Sequence, residues 1–130
     1  DKIWVMGGGH WRPETIPCND VWCSEDGVNW AQVTEAAPWR RRMWFSLVVY
    51  RERMWVLGGW SREDGNYGDV WFSQDGRYWT EMTSKVIWKE RHEHSAYVFQ
   101  DKIWVAGGHA DPLDSEVWSL EIPATWFADP

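Results

Sequence analysis

Basic charge, cysteine, long apolar runs and helical periodicity are all scarce in this chain, and each shortage excludes a class of function. Thirteen Lys and Arg stand against twenty Asp and Glu, a formal charge of −7, with a pI near 5.0. A phosphate-binding surface is normally basic, so nucleic acid and anionic membrane are not expected as partners. No run approaches the roughly 18 apolar residues of a membrane span, and no signal peptide is visible ahead of the first strand. The expectation is a soluble chain whose compartment stays open. Cys18 and Cys23 are too few for a disulfide scaffold and lack CxxC spacing. They read as ordinary thiols or one local bridge. No stretch has a sustained helical apolar period or cap spacing, which leaves an essentially all-β chain. No Ser/His/Asp order, nucleophile elbow, phosphate loop or paired-carboxylate spacing stands out. No catalytic residue, cofactor or metal site is therefore assigned.

Tryptophan is what the chain has in excess, fourteen in 130 residues, while Leu, Ile and Val are few. The core must be built largely of indole, whose N–H needs a partner when buried. Much of this tryptophan recurs in order. DKIWVMGG (Asp1–Gly8), ERMWVLGG (Glu52–Gly59) and QDKIWVAGG (Gln100–Gly108) are one phrase written three times, with glycine pairs 51 and 49 residues apart. NDVWCSEDGVNW (Asn19–Trp30) returns as GDVWFSQDGRYW (Gly68–Trp79), and more loosely around Glu116-Val117-Trp118. Asp-Gly within the first two copies is a hairpin signal. The third copy has Ile122-Pro123-Ala124 there, which suits a degraded last strand. At a shift of 49, Trp39 meets Trp88, Arg42 meets Arg91, Ser46 meets Ser95 and Tyr50 meets Phe99.

Each unit thus holds four short strands, in the middle copy about Trp44–Val49, Met54–Leu57, Asp69–Ser73 and Tyr78–Met82. Their apolar runs are continuous, as burial on both faces requires. The glycine pairs, the Asp-Val-Trp strand, the spaced tryptophan and Arg91-x-x-His94-Ser95 together resemble the kelch-repeat β-propellers, whose period is about 50 residues. Phe45 stands where such a repeat has histidine. The Ser-x-Asp-Gly-x-x-Trp phrases (Ser24–Trp30, Ser73–Trp79) also resemble the Asp-box turn of sialidase-type propellers, one residue short. The resemblance implies four-stranded blades: an incomplete first over 1–36, a second over 37–85 and a third over 86–130. Propellers close with roughly four to eight blades, so about three per chain point to a ring completed by self-association, a six-bladed homodimer. A fragment of a larger propeller is the other possibility.

In such blades the short hairpins are scaffold, and the long, unlike loops on the opposite face are where binding residues belong. That face collects His10, Trp11 and Arg12; Arg40 and Arg41; Trp60, Arg62, Glu63, Asp64 and Tyr67; and His109 and Asp111. Eleven tryptophans recur by repeat and read as core. Trp11, Trp44 and Trp60 do not recur; Trp11 and Trp60 read as exposed stacking platforms and Trp44 as filling a channel or interface. Arg42 and Arg91 read as repeat-position arginines paired with carboxylates, with Arg40 and Arg41 solvated. His92 and His94 alternate and are expected to share a face, which with His10 and His109 makes a metal conceivable. A structural hydrogen-bonding role for His94 is preferred. The expected function is non-catalytic binding of a protein or a glycan. The rival is a sugar-active, sialidase- or epimerase-like enzyme with Arg40–Arg42, Arg62, Glu63, Asp64 and Tyr67 as its pocket.

Overall fold

The computed structural model describes residues 1–126, in which twelve short strands pair antiparallel in four sheets without an α-helix. The first sheet joins β1 (Ile3–Met6), β4 (Val21–Ser24) and β5 (Ala31–Thr34), while β2 (Gly9–His10) and β3 (Ile16–Pro17) form a separate ribbon. The middle sheet is a four-stranded meander of β6 (Ser46–Tyr50), β7 (Arg53–Ser61), β8 (Gly65–Ser73) and β9 (Thr80–Met82). The third holds β10 (Ser95–Phe99), β11 (Lys102–Ala106) and β12 (Val117–Leu120). Where a fourth strand would follow, Ala124–Trp126 make a 3-10 turn instead.

Successive side chains of a strand leave opposite faces, and β7 buries both. Trp55 and Leu57 enter one core with Val48, Tyr50, Val70, Trp88, Ile103 and Val105. Met54 and Val56 enter the other with Met6, Val21, Trp39 and Trp79. At about 1.5–3 kcal/mol per buried aliphatic side chain, these two cores hold the three sheets together. Each interface sets the Trp/Leu positions of one sheet (Trp4 and Met6, or Trp55 and Leu57) against the next sheet's alternate positions (Met54 and Val56, or Ile103 and Val105).

Two arginines stitch the sheets. The Gly8 amide donates to the Arg42 carbonyl at 3.0 Å and the Arg42 amide to the Cys18 carbonyl at 3.1 Å, both in the first unit. Its buried guanidinium donates to the Gly58 carbonyl at 2.9 Å and to Asp69 Oδ2 at 2.8 Å, both in the middle unit. Arg91 repeats this one unit on, with its carbonyl on the Gly59 amide at 2.9 Å and its side chain on Gly107 and Asp114. The pairing expected for Arg42 and Arg91 is therefore present.

Indole N–H groups find partners by repeat as well. Trp22, Trp71 and Trp118 donate to Asp20, Asp69 and Glu116 at 2.7, 2.7 and 2.9 Å. Trp39 and Trp88 are the buried exceptions. Trp30 and Trp126 recur but are exposed, not core. The equivalent Trp79 is buried because it packs on Trp39 across the interface with the first sheet, at 5.8 Å between rings. Trp30 lies on the first sheet, which has no further described sheet to meet on that side.

Two local expectations need correction. The glycine pair of the middle unit does not end its strand: β7 passes through Gly58 and Gly59 with a register shift and continues to Ser61. Both glycines have positive φ, 60° and 111°, a geometry that L side chains resist. The Asp-Gly pairs do sit in hairpins, β4 to β5 and β8 to β9, but the connections are residues 25–30 and 74–79 and not two-residue turns. There Ser24 Oγ accepts the Gly27 amide at 2.8 Å, and Asp26 Oδ1 accepts the Val28 and Asn29 amides at 2.8 Å. Ser73 and Asp75 repeat the pattern. The Asn29 amide, its side chain and the Val28 amide hold the Asp26 carboxyl well below the usual carboxylate range. The tight two-residue turns are Arg51-Glu52 and Gln100-Asp101, all four residues at positive φ between 47° and 57°. Cys18 and Cys23 are both free thiols.

Candidate binding face

Because β7 and β8 run on past the glycines, residues 58–68 are a hairpin arm and not an open loop. Trp60 pairs with Asn66 and Ser61 with Gly65 in the arm, so Trp60 and Ser61 point to opposite sides. The two sides carry different chemistry.

On one side the three tryptophans that fall outside the repeat converge. Ring centroids of Trp11 and Trp44 are 5.1 Å apart, of Trp44 and Trp60 5.3 Å, and of Trp11 and Trp60 5.9 Å. His92 stacks on Trp44 at 5.3 Å, and His109 stacks on His92 at 5.0 Å. The backbone builds this row: Met43 and Trp60 form an isolated antiparallel bridge, as do His92 and His109. Trp44 and Glu93, 49 residues apart in the repeat, both take positive φ, 55° and 53°. That kink breaks strand alternation, so His92 and His94 do not share a face. His92 joins the aromatic row, while His94 is buried beside Gly58.

Asn66 fixes His92. Its amide nitrogen donates to the His109 carbonyl at 3.2 Å, so its Oδ1 faces His92 Nδ1 and can only accept. The proton is thereby assigned to Nδ1. Burial, with help from His109 and against Glu93, lowers the His92 pKa and keeps the ring neutral. Trp11 is half exposed at one end of the row, and at the His109 end a polar cleft is lined by Trp60, Lys89, Glu90, His109 and Asp111.

On the other side of the arm lies a cleft of about 550 Å³ whose polar wall is Arg40, Arg41, Arg62, Glu63, Asp64 and Tyr67. Arg40 is not merely solvated: it pairs with Asp64 at 3.1 Å. Tyr67 donates to Asp64 at 2.6 Å. That bond, with Arg40 assisting against burial, lowers the Asp64 pKa. Burial first and the Asp64 bond second raise that of Tyr67. Arg42, expected in the same pocket, is fully buried on Asp69 with its guanidinium 4.2 Å from the centroid of the Tyr67 ring.

The structure thus brings together Trp11, Trp60 and His109 in one cluster and Arg40, Arg41, Arg62, Glu63, Asp64 and Tyr67 in the other. His10, in the β2–β3 ribbon, and Arg12 are exposed and line neither cleft. The sequence places the run Trp88–His92 on this face, but it did not single out Asn66 or show that His92 stacks on Trp44; the non-glycine residue at Glu93 gave no sign of its positive φ. Among the described residues no three of His, Cys, Asp and Glu gather as metal ligands, and no helix is long and apolar enough to cross a membrane. Compared with protein-family models and with curated proteins, the chain matches none.

Proposed function

We propose that the chain is a kelch-like β-propeller segment serving as a non-catalytic binding module, and that its ligand is a glycan held on the Trp11–Trp44–Trp60 row. One observation carries this: the tryptophans that the repeat does not require are the ones gathered in a single row. Trp11 is exposed, and Trp44 and Trp60, the latter expected as an exposed platform, are half-buried behind it. Indole rings offer flat apolar area to sugar C–H faces, and Asn66, Lys89, Glu90 and Asp111 in the adjoining cleft supply directed hydrogen bonds. A glycan array followed by tryptophan-fluorescence titration tests it. Trp11→Ala and Trp60→Ala are expected to weaken binding of the best glycan by roughly tenfold or more. Unchanged binding in both variants, or binding of proteins and no glycan, overturns it.

The enzyme reading is weaker on chemical grounds. A phenol serving as nucleophile needs a lowered pKa, whereas burial and the Asp64 bond raise that of Tyr67. Turnover of chromogenic glycosides would reinstate it.

Self-association into a ring belongs to the same proposal. The open face of the first sheet carries Ile3 and Val5, the repeat equivalents of Met54 and Val56, and each is 52% exposed. Trp104 and Ala106 in the third sheet are the equivalents of Trp55 and Leu57, and Tyr97 and Val117 stand exposed on that side. These are the two halves of the interface already used twice within the chain, so a second copy completes both head to tail. Light scattering should give twice the 15.4 kDa chain mass. A strict monomer at micromolar concentration overturns the self-completed ring.

A further inference from the structure

The cleft on the Ser61 side of the arm is cationic in a chain that is not. It sets Arg40, Arg41 and Arg62 against Glu63 and Asp64, a formal excess of one positive charge, in a protein whose formal charge is −7. One of the three cations is already used. Arg40 Nη1 donates to both oxygens of Asp64, at 3.2 and 3.1 Å, and the Tyr67 hydroxyl donates to the same carboxylate at 2.6 Å. Asp64 is therefore committed to Arg40 and Tyr67. Among the described residues no hydrogen bond or ion pair engages the guanidinium of Arg41 or of Arg62. That holds although Glu63 follows Arg62 and Arg41 borders Asp20 and Glu35 in an adjoining cleft.

Both unengaged guanidinium groups stand on backbone that is held. Asn19, in the cleft wall, donates from its side-chain amide to the Ala37 and Trp39 carbonyls at 2.9 and 3.1 Å. On the other side of Arg41, the Arg42 amide donates to the Cys18 carbonyl at 3.1 Å and Met43 bridges to Trp60. Arg62 opens the turn of the arm, which the Ser61–Gly65 pair closes. Ser61 Oγ accepts the Asp64 amide at 3.1 Å and lies 2.9 Å from the Tyr67 hydroxyl. A ligand here orders two side chains and not two loops, which lowers the cost of binding.

The arrangement discriminates among anions. A carboxylate has its oxygens in one plane, and a single guanidinium fork fills them. Two forks from different elements need an acceptor with oxygens turned to both, as the terminal oxygens of a sulfate or phosphate ester are. A phosphate monoester carries roughly −1.5 to −2 at neutral pH, more than the cleft's excess, and it meets Glu63 besides. A sulfate monoester is a monoanion. We propose that the cleft is a subsite for a sulfate monoester, held by Arg41 and Arg62. That the sulfate belongs to a glycan rests on the reading of the aromatic row given above; the anion site itself does not.

The full chain, with nitrogen-labelled arginine, is titrated at constant pH and ionic strength with glucose 6-sulfate, glucose 6-phosphate, glucuronate and glucose, and the arginine Nε–Hε signals are followed by NMR. Saturable shifts of Arg41 and Arg62 are expected with glucose 6-sulfate, weaker binding of the phosphate and the carboxylate, and no response to glucose. Arg41→Gln and Arg62→Gln should each weaken glucose 6-sulfate about tenfold or more. Both residues are exposed, so folding is not at stake. Arg77→Gln, exposed in the connection from β8 to β9, should leave binding unchanged. Absence of saturable shifts, equal or tighter binding of glucuronate or glucose 6-phosphate, or indifference to either cleft substitution overturns the proposal. A chain that binds glucose 6-sulfate at these arginines but no glycan on an array keeps the subsite and loses the glycan reading; the opposite result loses the subsite alone.

Discussion

The middle and first sheets are written from the same repeat, yet one is covered on both faces and the other on one. Val56 is wholly buried, and its equivalent Val5 is 52% exposed. Asp69 receives a buried guanidinium, and its equivalent Asp20 receives only an indole N–H. The residues are alike; the difference is the neighbour. In a repeat fold each unit's stability is largely a nearest-neighbour quantity, and the chain shows the same motif with and without its neighbour.

The largest break in that comparison is expected at the carboxylates. Asp69→Asn leaves the Arg42 charge buried and uncompensated and should cost about 3–5 kcal/mol. Asp20→Asn should cost under about 1 kcal/mol. Urea unfolding of the two variants measures both, and equal losses would remove the distinction between the sheets.

Next is a pH effect confined to the junction of the middle and third sheets. His94 is buried, and neither of its ring nitrogens meets a well-aligned partner. Burial first, and the Arg91 charge second, lower its pKa from 6.5 to about 4. Between these values the unfolded chain binds a proton that the native chain does not. Stability is therefore complete above about pH 6.5 and is lost as pH falls towards 4, by about 3 kcal/mol in all. In His94→Leu the slope of stability against pH in this window should flatten. An unchanged slope would place the titration elsewhere.

A smaller contrast is Val56→Ala, expected to cost roughly 2 kcal/mol, against Val5→Ala, expected to stay within about 0.5 kcal/mol. A second copy seated on the open face of the first sheet should narrow that gap. The smallest effect expected is a gain: Glu93→Gly relieves a positive φ of 53° and should stabilise by up to about 1 kcal/mol, seen as a small rise in melting temperature.

The strands, their order and the stitching arginines were legible in the sequence because each is written two or three times, and recurrence at fixed spacing separates a structural residue from a chance one. The non-recurring status of Trp11, Trp44 and Trp60 was legible for the same reason. What the sequence did not show was their meeting. That depends on β7 running through Gly58 and Gly59, where a glycine pair reads as a strand end, and on Trp44 and Glu93 adopting a backbone conformation usually left to glycine. Arg42 was assigned both to a pocket and to a buried pair. Only the fold showed its guanidinium buried on Asp69, with the pocket left to Arg40, Arg41 and Arg62.

Most tryptophans that obey the repeat pack in or between the sheets, and the three that depart from it gather in the row proposed to bind a glycan. The most direct test is fluorine NMR of the chain labelled with 5-fluorotryptophan, titrated with the glycan that binds best on an array. The expected result is that the resonances of Trp11, Trp44 and Trp60 shift while those of the eleven recurring tryptophans hold their positions. Shifts spread over the recurring tryptophans, or none at Trp11 and Trp60, would contradict it.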